Sequence, residues 1–284
     1  MPSLFARCNR SPIQRIAPAV LAGLLGFVLI YILPTSVLSY LTESLSPVAF
    51  IQSRLQSTPP PSKYPAHAVA HRYETQIVSQ DPLIIYIHDF LNQDEISHVL
   101  AARFEPSKVY NRPEHFVNPK TRISESAILQ PDIITRRIKR RATSFRGWCN
   151  NSTFIEDLKV QRYGFNGYYS FHYDWDKMTL EGNRVATFMV YLNDSCTGGG
   201  TNFPRIDKPV DQRWCGIIDC DETEYEGTTF KPVAGSAVYW ENMHANGSFH
   251  RGVRHASLPV KSGEKVGLNI WFWDMDWRPF EQSV

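Results

Sequence analysis

Cysteine is scarce in this chain: there are five in 284 residues, and no two are spaced Cys-x-x-Cys. That excludes the paired knuckles that hold structural zinc. Charge of one sign is missing too, since 30 Lys and Arg meet 28 Asp and Glu for a net +2. No broad field is left to attract nucleic acid, so no nucleic-acid partner is expected. The one dense basic run, "RRIKRR" at 136–141, is interrupted by Ile138. On a helix that Ile faces the core and the basic groups face solvent. The glycine-rich "TGGGTNF" lacks the Lys-Ser/Thr of a phosphate loop and reads as a turn or a close backbone approach. No internal repeat is present.

Charge is absent altogether from Ile16 to Thr42, where "IAPAVLAGLLGFVLIYIL" gives 18 mostly apolar residues before Pro34 and Val37 to Leu41 adds more. The run is long enough to cross a bilayer. Arg7, Arg10 and Arg15 precede it and Glu43 is the first charge after it. The positive-inside rule then predicts a cytoplasmic tail at 1–15, a single-pass type II transmembrane signal anchor at 16–41 and a lumenal body. A cleaved signal peptide is the competing reading, for which "PTSVLSYL" makes a poor cleavage site. Asn150, Asn151, Asn193 and Asn246 each begin an Asn-x-Ser/Thr sequon, as in a glycoprotein. Cys149, Cys196, Cys215 and Cys220 follow the apolar run. An oxidising lumen can pair this even set in three ways, and free thiols are the alternative. The expected location is the endoplasmic reticulum membrane. The Golgi stays open, because the final "EQSV" is no retention signal.

With 43% hydrophobic residues the chain can bury one large core. Prolines in "STPPPSKYPAHAVAHR" favour an extended stem over 42–79. The folded domain, 80–284, is expected to open at the β-branched "DPLIIYIHDF". A helix over "LNQDEISHVLAARF", with Asn and Asp placed like a cap, and a second over "PDIITRRIKRRATSF" come next. From Leu158 on, short aromatic and β-branched runs alternate with Gly, Asn, Asp and Pro. Helices first and many short strands after predict a mainly β fold with flanking helices, a sandwich or jelly roll.

The stretch "YSFHYDWDKM" at 169–178 sets His172 and Asp174 two positions apart among aromatics. Such residues favour extended backbone, where side chains at i and i+2 leave one face and enter one cavity. An imidazole nitrogen beside a carboxylate oxygen supplies two ligands for a divalent metal. A second histidine would complete the set that suits non-haem Fe(II). An ordinary hydrogen-bonded pair at a sheet edge fits the same spacing. His67, His71 and His88 stand in the stem or before the domain, His98 on the first helix and His115 in a loop-like stretch. His244, His250 and His255 remain near the C-terminal strands. Ten positions beyond His255, Lys265 enters a strand, where a core-facing ammonium can receive the far carboxylate of a metal-chelating dicarboxylate. A lysine snorkelling from a strand end is the plainer account.

The blocks "YGFNGYYSFHYDW", "RVATFMVYLND", "GGGTNFP" and "RHASLPVKSGEKVGLNIW" occur in this order. Together they resemble the catalytic domain of the prolyl 4-hydroxylase family of Fe(II)- and 2-oxoglutarate-dependent dioxygenases. "RISESAIL" at 122–129 is similar to that family's Arg-x-Ser-x-Ser block, and the resemblance runs from residue 80 to 275. It implies a double-stranded β-helix with His172, Asp174 and His255 as Fe(II) ligands. It implies Lys265 as partner of the 5-carboxylate of 2-oxoglutarate, assisted by Tyr163 and Thr201, with Tyr191 a further pocket residue. Arg122, Ser124, Glu156, Tyr169, Arg184 and Trp271 match positions that line or support a peptide groove. The resemblance further implies O2 and L-ascorbate as co-reactants, succinate and CO2 as products, and a peptide or protein proline as the hydroxylated group. Two other readings stay open: a membrane-tethered oxygenase of a small metabolite or another residue type, and a non-catalytic lumenal module that keeps the fold. The chain departs from the family at Ser257, where Gly is frequent. It departs again in "RIDKPVDQRWCGIIDCDETEYEG" at 205–227, expected to bring acidic residues, Cys215 and Cys220 to the active-site rim. The short stem argues against a peptide-binding domain like that of animal collagen hydroxylase subunits, and so against collagen-type substrates.

Overall fold

The computed structural model describes residues 71–111, 114–147, 152–179 and 181–278. The expected apolar span at 16–41, its tail, Cys149 and the sequons at Asn150 and Asn151 lie outside the described residues. Among the described residues no helix is long and apolar enough to cross a membrane.

The chain begins with a hairpin of β1 (Glu74–Gln80) and β2 (Leu83–His88), followed by helix α1 (Gln93–Leu100). Five short strands come next: β3 (Glu105–Pro106), β4 (Val109–Asn111), β5 (Glu114–Phe116), β6 (Arg122–Ile123) and β7 (Glu125–Ile128). Helix α2 (Ile133–Arg146) precedes β8 (Thr153–Ile155), β9 (Lys159–Tyr163), β10 (Tyr168–His172) and β11 (Asn183–Tyr191). The remainder holds β12 (Cys196–Gly198), β13 (Thr201–Phe203), β14 (Thr228–Phe230), β15 (Ala237–Glu241), β16 (His255–Ser257), β17 (Val260–Gly263) and β18 (Lys265–Asp274). Nine strands form one antiparallel sheet in the order β1-β2-β15-β11-β18-β9-β7-β3, with β8 also on β18. A five-stranded sheet, β14-β13-β16-β10-β6, makes the second layer. This is the mainly β, jelly-roll-like architecture expected from the run of short strands.

Alternation along the central strands assigns the two faces of the large sheet. Phe188 and Val190 of β11, with Val266, Leu268, Ile270 and Phe272 of β18, pack under the helices against Ile96, Val99, Ile138 and Ala142. Met189 and Tyr191 point the other way and join Phe203, Phe230 and Trp240 between the sheets. Fully burying each large apolar side chain contributes about 1.5–3 kcal/mol. Both helices start at reciprocal caps, Asn92 with Glu95 and Asp132 with Thr135, which satisfy backbone N–H groups that have no partner within the helix.

Three local expectations are corrected. Strand β1 starts at Glu74, inside the expected stem, because its backbone pairs with the buried β2. Helix α1 stops at Leu100 instead of running to Phe104. The basic run on α2 is not wholly solvated: Ile138 is buried as read, but Arg141 donates to both Glu95 carboxylate oxygens at 2.8 Å and to Phe90 O at 2.7 Å. That buried pair ties α2 to α1. The glycines of "TGGGTNF" serve both uses read for them. Gly198 and Gly199 have φ of 69° and 68°, and a Cβ on Gly200 would lie 2.4 Å from Thr229 Cγ2.

Candidate active site

A cavity of about 200 Å³ lies between the two sheets. The large sheet lines it with alternate residues of two adjacent strands: Lys159, Gln161 and Tyr163 of β9, and Lys265, Asn269 and Trp271 of β18. Antiparallel pairing sets Lys159 opposite Asn269 and Tyr163 opposite Lys265. The small sheet supplies the facing wall, where His172 of β10 and His255 of β16 are directly paired.

Asp174 lies two residues past His172, just beyond the end of β10, so the pair does not share a strand as the sequence suggested. Its Oδ1 still stands 3.8 Å from His172 Nε2 and 3.9 Å from His255 Nε2. It is held there from behind: Thr187 Oγ1 donates to Asp174 Oδ2 at 2.8 Å and Asn242 Nδ2 donates to Thr187 Oγ1 at 3.0 Å. Trp240 Nε1 in turn donates to Asn242 Oδ1 at 2.9 Å. Each ligand histidine is fixed in one tautomer. His172 Nδ1 donates to Ser170 O at 2.8 Å and His255 Nδ1 to Val253 O at 2.9 Å, so both Nε2 lone pairs face the cavity. Burial and the neighbouring His255 pull the pKa of His172 down to about 3, which keeps it neutral as a ligand must be. Burial raises Asp174, while the Arg184 guanidinium and the hydrogen bond from the Thr187 hydroxyl favour its carboxylate form. Two imidazole nitrogens and one carboxylate oxygen, all within 4.8 Å of one another, fit a divalent metal.

Asp81, His244 and His250 also bring ligand atoms within 4.8 Å. There, however, His250 Nδ1 accepts the Gly252 N–H at 3.1 Å, so Nε2 carries the proton that it donates to Asp81 at 2.7 Å. No lone pair is left on that ring for a metal. His255, by contrast, turns its Nε2 lone pair into the cavity.

At the floor of the cavity Lys265 is fully buried. Its Nζ donates to Ser257 Oγ at 2.9 Å and Thr201 Oγ1 at 3.4 Å, and lies 5.5 and 5.7 Å from the rings of Tyr163 and Tyr191. Burial pulls its pKa down to about 7. No carboxylate pairs with it among the described residues, so the pocket offers a cation to an incoming anion. Such a floor fits one end of a dicarboxylate. Tyr163 lines the cavity and donates to Gln161 Oε1 at 2.6 Å, while Tyr191 lies behind the wall, buttressing Thr201 at 2.9 Å.

Of the expected groove residues, Arg122, Tyr169, Arg184 and Trp271 line the cavity. Ser124 and Glu156 stand behind them. Arg122 Nε donates to Ser124 Oγ at 2.6 Å, and Arg184 donates to the two Glu156 oxygens at 2.6 and 2.9 Å while lying 3.8 Å over the Trp271 ring. The insertion at 205–227 meets the site differently from expectation. Cys215 and Cys220 form a disulfide, and Asp219, Glu222 and Glu224 line a second cavity of about 250 Å³. Toward the first cavity, Arg205 donates to Tyr173 Oη at 2.8 Å, and Ile206, Ile217 and Ile218 pack in the cluster that includes Met189 and Trp240. Cys196 is a free thiol.

Sequence reading missed Thr187, Asn242 and Trp240, which act through Asp174, and Lys159 and Gln161 in the wall. The last two were legible in the alternation of "LKVQRY", whose Leu158 and Val160 face the helices. Ser257, where the family frequently has Gly, is the nearest hydroxyl to Lys265.

Comparison with known proteins agrees with this geometry. Residues 158–273 match the family described as the 2OG-Fe(II) oxygenase superfamily. Prolyl 4-hydroxylase subunit alpha-1 of Rattus norvegicus is 30% identical over 205 residues, which cover 67% of this chain and 34% of that protein. Subunit alpha-3 of Homo sapiens is 27% identical over 219 residues, 72% of this chain and 36% of that one. The chain thus spans about a third of the length of these relatives. The viral collagen prolyl hydroxylase of Paramecium bursaria Chlorella virus-1, solved with 2-oxoglutarate, superposes with a TM-score of 0.50 at 26% identity, covering 67% of this chain and 96% of that one.

Proposed function

Because residues 158–273 make the chain a member of the 2OG-Fe(II) oxygenase superfamily, homologous to prolyl 4-hydroxylase alpha subunits, we propose that it hydroxylates a prolyl residue of a peptide or protein. The observation that carries this reading is one cavity with three convergent metal-ligand atoms at one end and a buried, carboxylate-free lysine at the other. When bound, Fe(II) with 2-oxoglutarate and O2 supplies the oxidation of a substrate C–H bond, releasing succinate and CO2. The chain does the holding and the aiming. His172, Asp174 and His255 would hold the metal, and Lys265 with Thr201 and Ser257 would take the far carboxylate of the cosubstrate. Trp240 and Phe203 pack on His255 and keep that side dry. Arg122, Tyr169, Arg184 and Trp271 present donors and flat faces where a peptide would lie. L-ascorbate as reductant belongs to this proposal through the resemblance alone.

The same reading places the body in an oxidising lumen, tethered by the apolar run at 16–41. The Cys215–Cys220 disulfide supports that compartment. Asn246, an exposed sequon, supports a glycoprotein.

The test follows CO2 release from labelled 2-oxoglutarate by the full chain in detergent, with Fe(II), ascorbate and a panel of proline-containing peptides. Peptide-stimulated release with an added oxygen on proline is expected, and His172→Ala should abolish it. Full turnover by that variant would refute the metal assignment.

A further inference from the structure

The charges within the cavity balance at its inner end and not at its mouth. A divalent metal, Asp174, a bound dicarboxylate and Lys265 cancel one another. Farther out Glu156 is committed to Arg184 through two hydrogen bonds. Arg122, from β6 of the small sheet, and Lys159, from β9 of the large one, then remain in the lining with no acidic partner within 4 Å among the described residues, and Lys108 joins them there. Arg122 is only 5% exposed; its Nε is used by Ser124 but its buried Nη2 has no partner. Trp271 Nε1 is a second buried donor left without an acceptor. Lys159 is half-buried, and burial with the charges of Arg122 and Arg184 pulls its pKa down to about 8. Desolvated cations that line one cavity and act on each other destabilise the empty protein, a cost that persists where an anion recovers it on binding.

A neutral peptide would satisfy the indole with a backbone carbonyl and leave both cations unneutralised. A carboxylate accepts from a guanidinium and an ammonium at once. We infer that the substrate carries a carboxylate within a residue or two of the reacting carbon, docked between Arg122 and Lys159. This rests on the oxygenase reading and narrows it to acidic sequence contexts. The carboxylate comes from a flanking Asp or Glu, or from a free chain terminus.

The test measures binding without turnover. The full chain in detergent is loaded with Mn(II) and 2-oxoglutarate under anaerobic conditions. It is titrated with fluorescent peptides holding a central proline and Glu, Gln, Lys or phosphoserine at each of the two positions on either side, as free acids and as amides. Peptides with Glu should bind about tenfold or more tighter than their Gln counterparts, as expected for a charge-assisted pair. A preference confined to free acids supports the same docking and assigns the carboxylate to a terminus. Lys159→Gln should erase most of the preference, and Lys159→Glu should turn it toward Lys peptides, with thermal melts confirming that both variants are folded. Equal affinity for Glu and Gln peptides, a preference unchanged in Lys159→Gln, or tight binding of phosphoserine alone would overturn the inference. CO2 release measured in parallel separates the two levels. Release without charge preference leaves the oxygenase standing and removes this docking, whereas charge preference without release does the reverse.

Discussion

Lys265 has an ammonium buried among two hydroxyls and two tyrosine rings. Its folded pKa, about 7, lies below the value near 10.5 of an unfolded lysine. The empty protein therefore carries the full cost of this charge below pH 7 and is relieved of it as pH rises toward 10.5. Binding runs the opposite way, because a carboxylate needs the protonated form. Affinity for 2-oxoglutarate should fall as pH rises above 7, by up to about tenfold per unit, and binding at pH 8 should take up a proton. Calorimetry in buffers of different ionisation heat measures both. Lys265→Met should melt higher than the parent without ligand at pH 7 and lose 2-oxoglutarate binding by about tenfold or more. A second prediction concerns the support of Asp174. Thr187→Val removes the hydroxyl that donates to its Oδ2 and leaves the carboxylate free to turn. Metal affinity should drop about 10–100-fold with the three ligands intact, read by Mn(II) titration.

At the level of elements, the β17–β18 turn delivers Lys265 to the floor. Gly263 closes that turn at φ 70°, and a Cβ there would lie 2.0 Å from Ser195 O, a backbone atom with no easy retreat. Gly263→Ala should therefore cost about 2–4 kcal/mol in urea unfolding. It should also weaken 2-oxoglutarate binding, since the turn fixes where β18 begins. The strands were legible because hydrophobic alternation states which residues share a face: "KVGLNIWFW" by its period of two separates Lys265, Asn269 and Trp271 from Val266, Leu268 and Ile270. Helix ends were less so. "AARF" continues an amphipathic pattern, yet the chain leaves α1 at Leu100 and turns out into β3.

Across the molecule, what the sequence could not state was adjacency between strands distant along the chain. His172 and Asp174 announce each other at two positions' spacing. Thr187 and Asn242, which steady Asp174, come from β11 and from the end of β15, and only the β11–β15 pairing brings them together. Tyr191 was placed in the pocket by resemblance and stands one layer behind it, because its partner is Thr201 and not the cavity. The insertion at 205–227 looked like a rim because it is acidic and long, but its disulfide folds it against a separate cavity.

One contact joins these scales. Lys265 belongs to the large sheet, while Ser257 and Thr201, to which its ammonium donates, belong to the small one. A dicarboxylate seated there becomes a further cross-tie between the two layers, beside the hydrogen bond from Tyr191 to Thr201. Its arrival should be felt well beyond the cavity, as slower amide hydrogen exchange in β13 and β16 together with β18 when 2-oxoglutarate is added to the Mn(II)-loaded chain. Exchange slowed in β18 alone would show that the two sheets remain mechanically independent and that the cosubstrate leans on one wall.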